Sequence, residues 1–247
     1  MSNKKKNKNS DNLYIIIPTY NEENNIKTVV KEWHEIVKKI GNDSKLVVIN
    51  DGSKDNTLNI LELLKKRYEC LVVLNKENGG HGDAVLYGYS YAIRNHADYI
   101  FQTDSDGQTL PEEFEPFWDE RKKHDAIIGY RKGRRDGLYR IFVAKTLKLI
   151  LFLIFHCRIT DANTPYRLMS YKNLKKYYQR IPKHFNLPNI LLTVLMVDAK
   201  EDVYFKTITF LPRQGGINSI NLKKIIKIGI QAVKDFRKIK KEMKEDE

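Results

Sequence analysis

The chain has 247 residues, enough for one ordinary domain whose core needs neither disulfides nor a structural metal. Its 44 Lys and Arg against 31 Asp and Glu give a formal net charge of +13, which favours polyanionic partners: nucleic acid, anionic headgroups or phosphorylated substrates. The two cysteines, Cys70 and Cys157, lack metal-ligand spacing and fit a reducing compartment, which excludes a disulfide scaffold.

Residues 1–12 are rich in Lys, Asn and Ser and read as a disordered basic tail. Leu13 to Ile17 reads as a buried strand, too short for a secretory apolar region and closed by Pro18. A helix follows, with Ile26, Val29, Val30, Trp33, Ile36 and Ile40 at helical spacing and Gly41 at its C-terminal cap. Leu46 to Ile49 is a second strand and Asn50-Asp51-Gly52-Ser53 a turn, with a helix to about Tyr68. Leu71 to Leu74 is a third strand, followed by a Gly-rich loop and a helix to about Asn95. Tyr99 to Gln102 is the fourth strand and Ala126 to Ile128 a fifth. This alternation predicts a mostly parallel, Rossmann-like α/β sheet with helices on both faces. Ligands of such sheets bind beyond the strands' C-terminal ends, here Pro18–Glu22, Asn50–Ser53, Asn78–Asp83 and Asp104–Gln108.

The longest apolar run, Leu147 to Phe155, is interrupted by Lys148, whereas a membrane-spanning helix needs about 20 apolar residues. No segment is therefore expected to cross a bilayer. Residues 221–247 carry Leu222, Ile225, Ile226, Ile230, Val233, Phe236 and Ile239 at helical spacing, with lysines crowding the other face. Two readings stand side by side: a basic helix lying in an anionic membrane surface, or one packed on the domain with a solvated basic face. Lys145 to His156 is likewise either a second interfacial helix or core.

Thr103-Asp104-Ser105-Asp106-Gly107-Gln108 follows an apolar strand. The carboxylates of Asp104 and Asp106, with the Gln108 carbonyl, suit a hard cation such as Mg2+ or Mn2+ that keeps positions open for phosphate oxygens. The alternative is an Asp/Gly turn that caps the next helix. Asn78-Gly79-Gly80-His81-Gly82 offers backbone amides at a helix N-terminus, which favours anions, or is turn chemistry alone. It is neither a Walker A loop nor a G-x-G-x-x-G fingerprint.

Taken in order, these segments resemble glycosyltransferase family 2. Ile15-Ile16-Ile17-Pro18-Thr19-Tyr20-Asn21-Glu22-Glu23 is similar to that family's opening, and Asn50-Asp51-Gly52-Ser53-Lys54-Asp55-Asn56-Thr57 to its D-D-G-S-x-D-x-T loop. The Gly-rich loop, the D-x-D and Gly129-Tyr130-Arg131 follow. Asp161 with Thr164-Pro165-Tyr166-Arg167 resembles D-x-x-x-G-F-R, and Arg213-Gln214-Gly215-Gly216 with Ser219 resembles R-x-x-G-x-S. The resemblance implies a GT-A fold: a nucleotide-binding half over 13–130, an acceptor-binding half over 131–220 and the C-terminal helix beyond. It also implies an inverting, metal-dependent transferase that takes sugar from a UDP- or GDP-sugar. The acceptor is lipid-linked: a polyprenyl phosphate, as in the polyprenyl- and dolichyl-phosphate sugar transferases, or a growing polysaccharide or glycolipid. Pro18, Tyr20 and Glu22 match nucleoside-pocket positions, Asp51 a base-contacting carboxylate, and Gly80 the donor loop. Asp104 and Asp106 match ribose and metal carboxylates, and Gln108 a further metal ligand. Asp161 and Asp106 are the candidate catalytic residues, with turn capping or pairing to Arg167 as the other roles of Asp161; Arg131, Arg140, Arg167 and Arg213 are candidate phosphate or acceptor clamps.

Departures from the pattern bear on the acceptor and the base. Asn50 replaces an Asp, Asp83 stands where a small residue is usual, Pro165-Tyr166 replaces G-F, and Phe185-Asn186-Leu187-Pro188-Asn189 lacks the usual acidic residue. A nucleotidyltransferase would need a basic Gly-rich loop after the first strand, and Pro18-Thr19-Tyr20 is not one. A nucleic-acid-binding protein would show a helix-turn-helix, RNP or zinc pattern, and none accompanies the charge. The expected setting is cytoplasmic, peripheral at the inner face of the cell membrane. Oligomeric state stays open, a homo-oligomer included.

Overall fold

The computed structural model describes residues 11–41, 43–131, 138–157, 159–212 and 222–245. Along the first half run β1 (Leu13–Thr19), α1 (Ile26–Ile40), β2 (Lys45–Asp51), α2 (Thr57–Arg67), β3 (Leu71–Lys76), α3 (His81–Arg94) and β4 (Tyr99–Gln102). Then come α4 (Glu115–Glu120), β5 (Ala126–Arg131), α5 (Leu138–Phe155), β6 (Arg167–Ser170), α6 (Tyr171–Tyr178), α7 (Pro188–Asp198), β7 (Val203–Ile208) and α8 (Leu222–Glu245). All described strands join one seven-stranded sheet, ordered β3-β2-β1-β4-β6-β5-β7. β3, β2, β1 and β4 are parallel, β6 is antiparallel to both β4 and β5, and β7 is parallel to β5.

Side chains along β1 alternate between two apolar layers. Leu13, Ile15 and Ile17 face α1, α2 and α4, packing with Trp33, Leu61, Phe114 and Phe117. Tyr14 and Ile16 face the layer of α3, α6, α7 and α8, with Tyr89, Leu192 and Phe236. Covering both faces explains why the parallel strands read as continuous apolar runs.

The order of the strands matters more than their existence. The chain leaves β1 for β2 on one side and reaches β4 on the other, so the cleft between the C-terminal ends of β1 and β4 is the topological switch point. β1 continues two residues past its expected end at Ile17. Ile16 O accepts the Thr103 N–H on the β4 side, and Pro18 O accepts the Ser105 hydroxyl at 3.0 Å on that side, where β4 has already ended. No ladder donor is required at residue 18, so proline fits inside the strand.

Candidate active site

The loops after β1 and β2 are stitched to each other. Asn21 N–H donates to Ser53 Oγ (3.0 Å), Lys54 N–H to Asn21 Oδ1 (2.8 Å) and Glu22 N–H to Thr57 Oγ1 (2.9 Å). Asp55 anchors the second loop by accepting the Thr57 N–H and hydroxyl; burial pushes its pKa up, but these bonds prevail and hold it below the ordinary carboxylate value. Tyr20 stands half-buried just beyond β1, and Pro18 lies buried within it. Glu22 turns inward: its carboxylate accepts Asn25 Nδ2 at 2.8 Å, and its carbonyl receives the first amides of α1.

The glycine loop before α3 already holds an anion, and that anion is the Asp51 carboxylate. Oδ1 accepts the Gly79 N–H (2.9 Å) and the Lys76 ammonium (2.7 Å), and Oδ2 accepts the Gly80 N–H (2.8 Å). Gly80 takes φ +89°, which lets successive amides converge on one carboxylate. One expectation is corrected here. The amides of Gly79 and Gly80 face Asp51 rather than a ligand, and Asp51, buried, braces the loop through both oxygens.

The D-x-D turn alternates in exposure. Ser105 and Thr109 are buried, Thr109 sharing a 2.7 Å hydrogen bond with Thr103, whereas Asp104, Asp106 and Gln108 stay partly exposed. Gln108 N–H donates to Asp106 Oδ1 (3.1 Å), and Gln108 Nε2 donates to Leu211 O (2.8 Å). Two carboxylates and an amide oxygen in one turn make a hard donor set that fits a divalent cation sharing its remaining positions with phosphate. Among the described residues no three His, Cys, Asp or Glu side chains form a metal cluster.

His81, the first residue of α3, donates from Nε2 to Asp104 Oδ1 at 3.0 Å. Burial works against a charged imidazole, but Asp104, Asp106 and Asp51 outweigh it and hold His81 above the ordinary histidine pKa. About half of the side chain (52%) remains open to solvent. Sequence reasoning gave His81 no role. The signal was topological: a helix N-terminus in an α/β sheet sits at the strands' C-terminal edge, but strand order was needed to bring α3 to Asp104.

The family model for glycosyl transferase family 2 matches residues 14–188, more than half of the chain. The chain belongs to this family. An undecaprenyl-phosphate 4-deoxy-4-formamido-L-arabinose transferase of Pectobacterium atrosepticum is 26% identical over 144 residues, 57% of this chain and 43% of that protein. This chain thus spans less than half the length of that relative. A UDP-N-acetylglucosamine–dolichyl-phosphate N-acetylglucosaminyltransferase of Methanococcus voltae is 27% identical over 185 residues, 66% of this chain and 71% of that one. Glucosyl-3-phosphoglycerate synthase of Mycobacterium tuberculosis, solved with Mn2+ and UDP-glucose, superposes with a TM-score of 0.64 at 17% identity, covering 90% of this chain and 77% of that one. The fold is GT-A.

Within the family 2 frame, the later motif residues fall into place differently from their expected roles. Arg167 is not a phosphate clamp. It is 0% exposed, and its guanidinium is spent on Thr164 O, Ala162 O, Asn189 O and Thr193 Oγ1 at 2.9–3.3 Å. It bolts the 161–164 segment to the first turn of α7, and a ligand has no path to it. Asp161 pairs with Arg131 rather than Arg167: Nε to Oδ2 at 2.9 Å and Nη2 to Oδ1 at 3.0 Å, both side chains buried. Arg131 also lies under the Phe210 ring, 5.0 Å from its centroid. Arg213 and the side chain of Arg140 lie outside the described residues.

Proposed function

We propose that this family 2 enzyme moves a sugar, with inversion, from a nucleoside-diphosphate sugar to a lipid phosphate at the inner face of a membrane. The observation that carries the reading is the placement of Asp104, Asp106 and Gln108 as a partly exposed oxygen-donor set beside the β1–β4 switch point, with Tyr20 across the cleft. UDP and GDP are the candidate donor bases. Asp104, Asp106 and Gln108 would hold Mg2+ or Mn2+, which neutralises charge on the departing diphosphate. Asp104 meanwhile keeps His81 at the rim of the same turn.

The buried Asp161–Arg131 pair favours an acceptor that is already an anion. A sugar hydroxyl requires a base with a free lone pair aimed at it. Both oxygens of Asp161 instead meet the guanidinium fork. A phosphate acceptor needs no such base, and the curated relatives act on undecaprenyl phosphate and dolichyl phosphate. In this reading Asp161 positions Arg131 rather than removing a proton.

The test is a hydrolysis and transfer screen over UDP-, GDP- and dTDP-sugars with Mn2+, with and without polyprenyl phosphate. Transfer to the lipid phosphate is expected. Transfer to a free sugar or glycan but never to lipid phosphate would overturn the acceptor assignment.

A further inference from the structure

The segment before α7 and one face of α8 enclose an open cleft of about 320 Å³. Its floor is apolar, formed by the buried Phe185 and Ile239. Its walls carry nitrogen: the ammonium groups of Lys183 and Lys238, the imidazole of His184, and the amides of Asn186 and Gln231. One carboxylate, Asp235, lines the same space, and its Oδ1 already accepts Gln231 Nε2 at 2.8 Å. Charge in the cleft is therefore cationic, in a concavity that can seat a compact anion.

The wall is held from behind. Gly82 lies so close to Phe185 O and Asn186 O that a Cβ there would collide with both carbonyls. His184 Nδ1 meets Asp83 Oδ1 at 2.7 Å, so the ring presents its other nitrogen, Nε2, away from α3. Asp83 Oδ2 in turn meets Lys76 Nζ at 2.7 Å, and Lys76 meets Asp51. The contacts His184–Asp83, Asp83–Lys76 and Lys76–Asp51 thus link the cleft to the glycine loop. Four of its nine lining residues come from α8, beyond residues 14–188 that the family model matches.

We infer that this cleft is a binding site for a phosphate group, separate from the donor site. Lys183 and Lys238 supply the charge, and His184 Nε2 with the Asn186 and Gln231 amides supply directional donors to phosphate oxygens. The phosphate can belong to a lipid headgroup or to a soluble phosphorylated molecule.

The test uses the full chain without divalent metal. Inorganic phosphate is titrated by calorimetry at constant ionic strength, and co-sedimentation compares phosphatidylcholine vesicles with and without phosphatidic acid. Lys183 and Lys238 are both exposed, so the double variant K183Q/K238Q keeps the fold; K27Q/K65Q, exposed on α1 and α2, is the charge-matched control. Affinity for phosphate, for phosphatidic acid vesicles, or for both is expected to fall about tenfold or more in K183Q/K238Q and to hold in the control. Loss confined to vesicles assigns the site to a lipid headgroup, and loss with free phosphate assigns it to a soluble ligand. If K183Q/K238Q binds both probes like the wild type, or the control loses as much, the site is refuted. Neither result depends on sugar transfer.

Discussion

Asp106 and Arg167 both come from family motif matches, yet one stays partly exposed and the other is sealed inside. Asp106→Ala removes a charged oxygen from the partly exposed turn while leaving the buried Ser105 and Thr109 anchors in place. Turnover is expected to fall by about 100-fold or more with an unchanged near-UV circular dichroism spectrum. A folded variant with normal turnover would remove the cation assignment. Arg167→Met should leave Thr164 O without its guanidinium donors, and Ala162 O and Asn189 O with the Thr193 hydroxyl alone to share. Denaturant unfolding should show a loss of about 3 kcal/mol or more. Lysine should not rescue it, because one ammonium cannot span carbonyls that a planar fork reaches. The sequence made the D-x-D legible because a strand followed by an Asp/Gly turn constrains its own exposure. It could not show whether an arginine turns outward or inward. That depends on β6 pairing with β4 and on α7 bringing Asn189 O to Arg167, contacts separated by many residues.

At the scale of elements, the alternating first half was readable because each parallel strand is apolar on both faces and ends in turn residues. The fourth strand falls at its expected residues, and α1 ends where Gly41 takes φ +69°. β6 and β7 were not readable. Arg167–Ser170 is four residues with a buried cation, and Val203–Ile208 is an edge strand with Lys206 in its middle, so neither carries a clean period. Strand order was equally hidden, and with it the junction of β3, α3 and the segment before α7 through Asp83. Burial raises the Asp83 pKa, but Lys76 and His184 outweigh it, leaving the carboxyl below its ordinary 3.8. For Lys76, burial lowers the pKa, and Asp51 with Asp83 raise it above its ordinary 10.5. A carboxyl depressed by folding contributes stability above its unfolded pKa and loses it as pH falls through the folded one. Asp83→Asn is therefore expected to cost about 1–2 kcal/mol near neutral pH. The gap from wild type should close below pH 3.8, and it should also narrow above pH 10.5 as Lys76 loses its proton. Thermal melts of both proteins from pH 2.5 to 8 check the acid limb. A gap that persists unchanged at pH 2.5 would show that Asp83 acts through packing rather than charge.

For the whole molecule, the charge of +13 and the apolar residues left outside the core bear on where the enzyme works. No described helix is long and apolar enough to cross a membrane. The described part of α8 chooses between the two readings of that helix: Ala232, Phe236 and Ile239 are buried, Phe236 lies 5.9 Å from Phe155 of α5, and Lys240 pairs with Asp198 of α7 at 3.1 Å. Among the described residues, Phe236 and Ile239 of its apolar stripe are therefore spent on the domain. The C-terminal half of α5 behaves differently. Leu151 and Phe155 are buried, but Leu149, Phe152 and Leu153 are 58%, 40% and 63% exposed, with Lys148 exposed beside them and Ile230 of α8 57% exposed. Positions 149, 152 and 153 share one helix face, so they form an apolar stripe beside basic residues. Such a surface can sink shallowly into an anionic bilayer while lysines meet the headgroups. The triple variant L149Q/F152Q/L153Q should float with phosphatidylglycerol vesicles roughly 10- to 100-fold more weakly than wild type, since each side chain withdraws part of a 1.5–3 kcal/mol burial term. Raising salt should weaken wild-type binding only in part, because screening acts on the lysines and not on the apolar stripe. Wild-type protein that stays off anionic vesicles at low salt, or a triple variant that floats as well as wild type, would take the membrane contact away from α5.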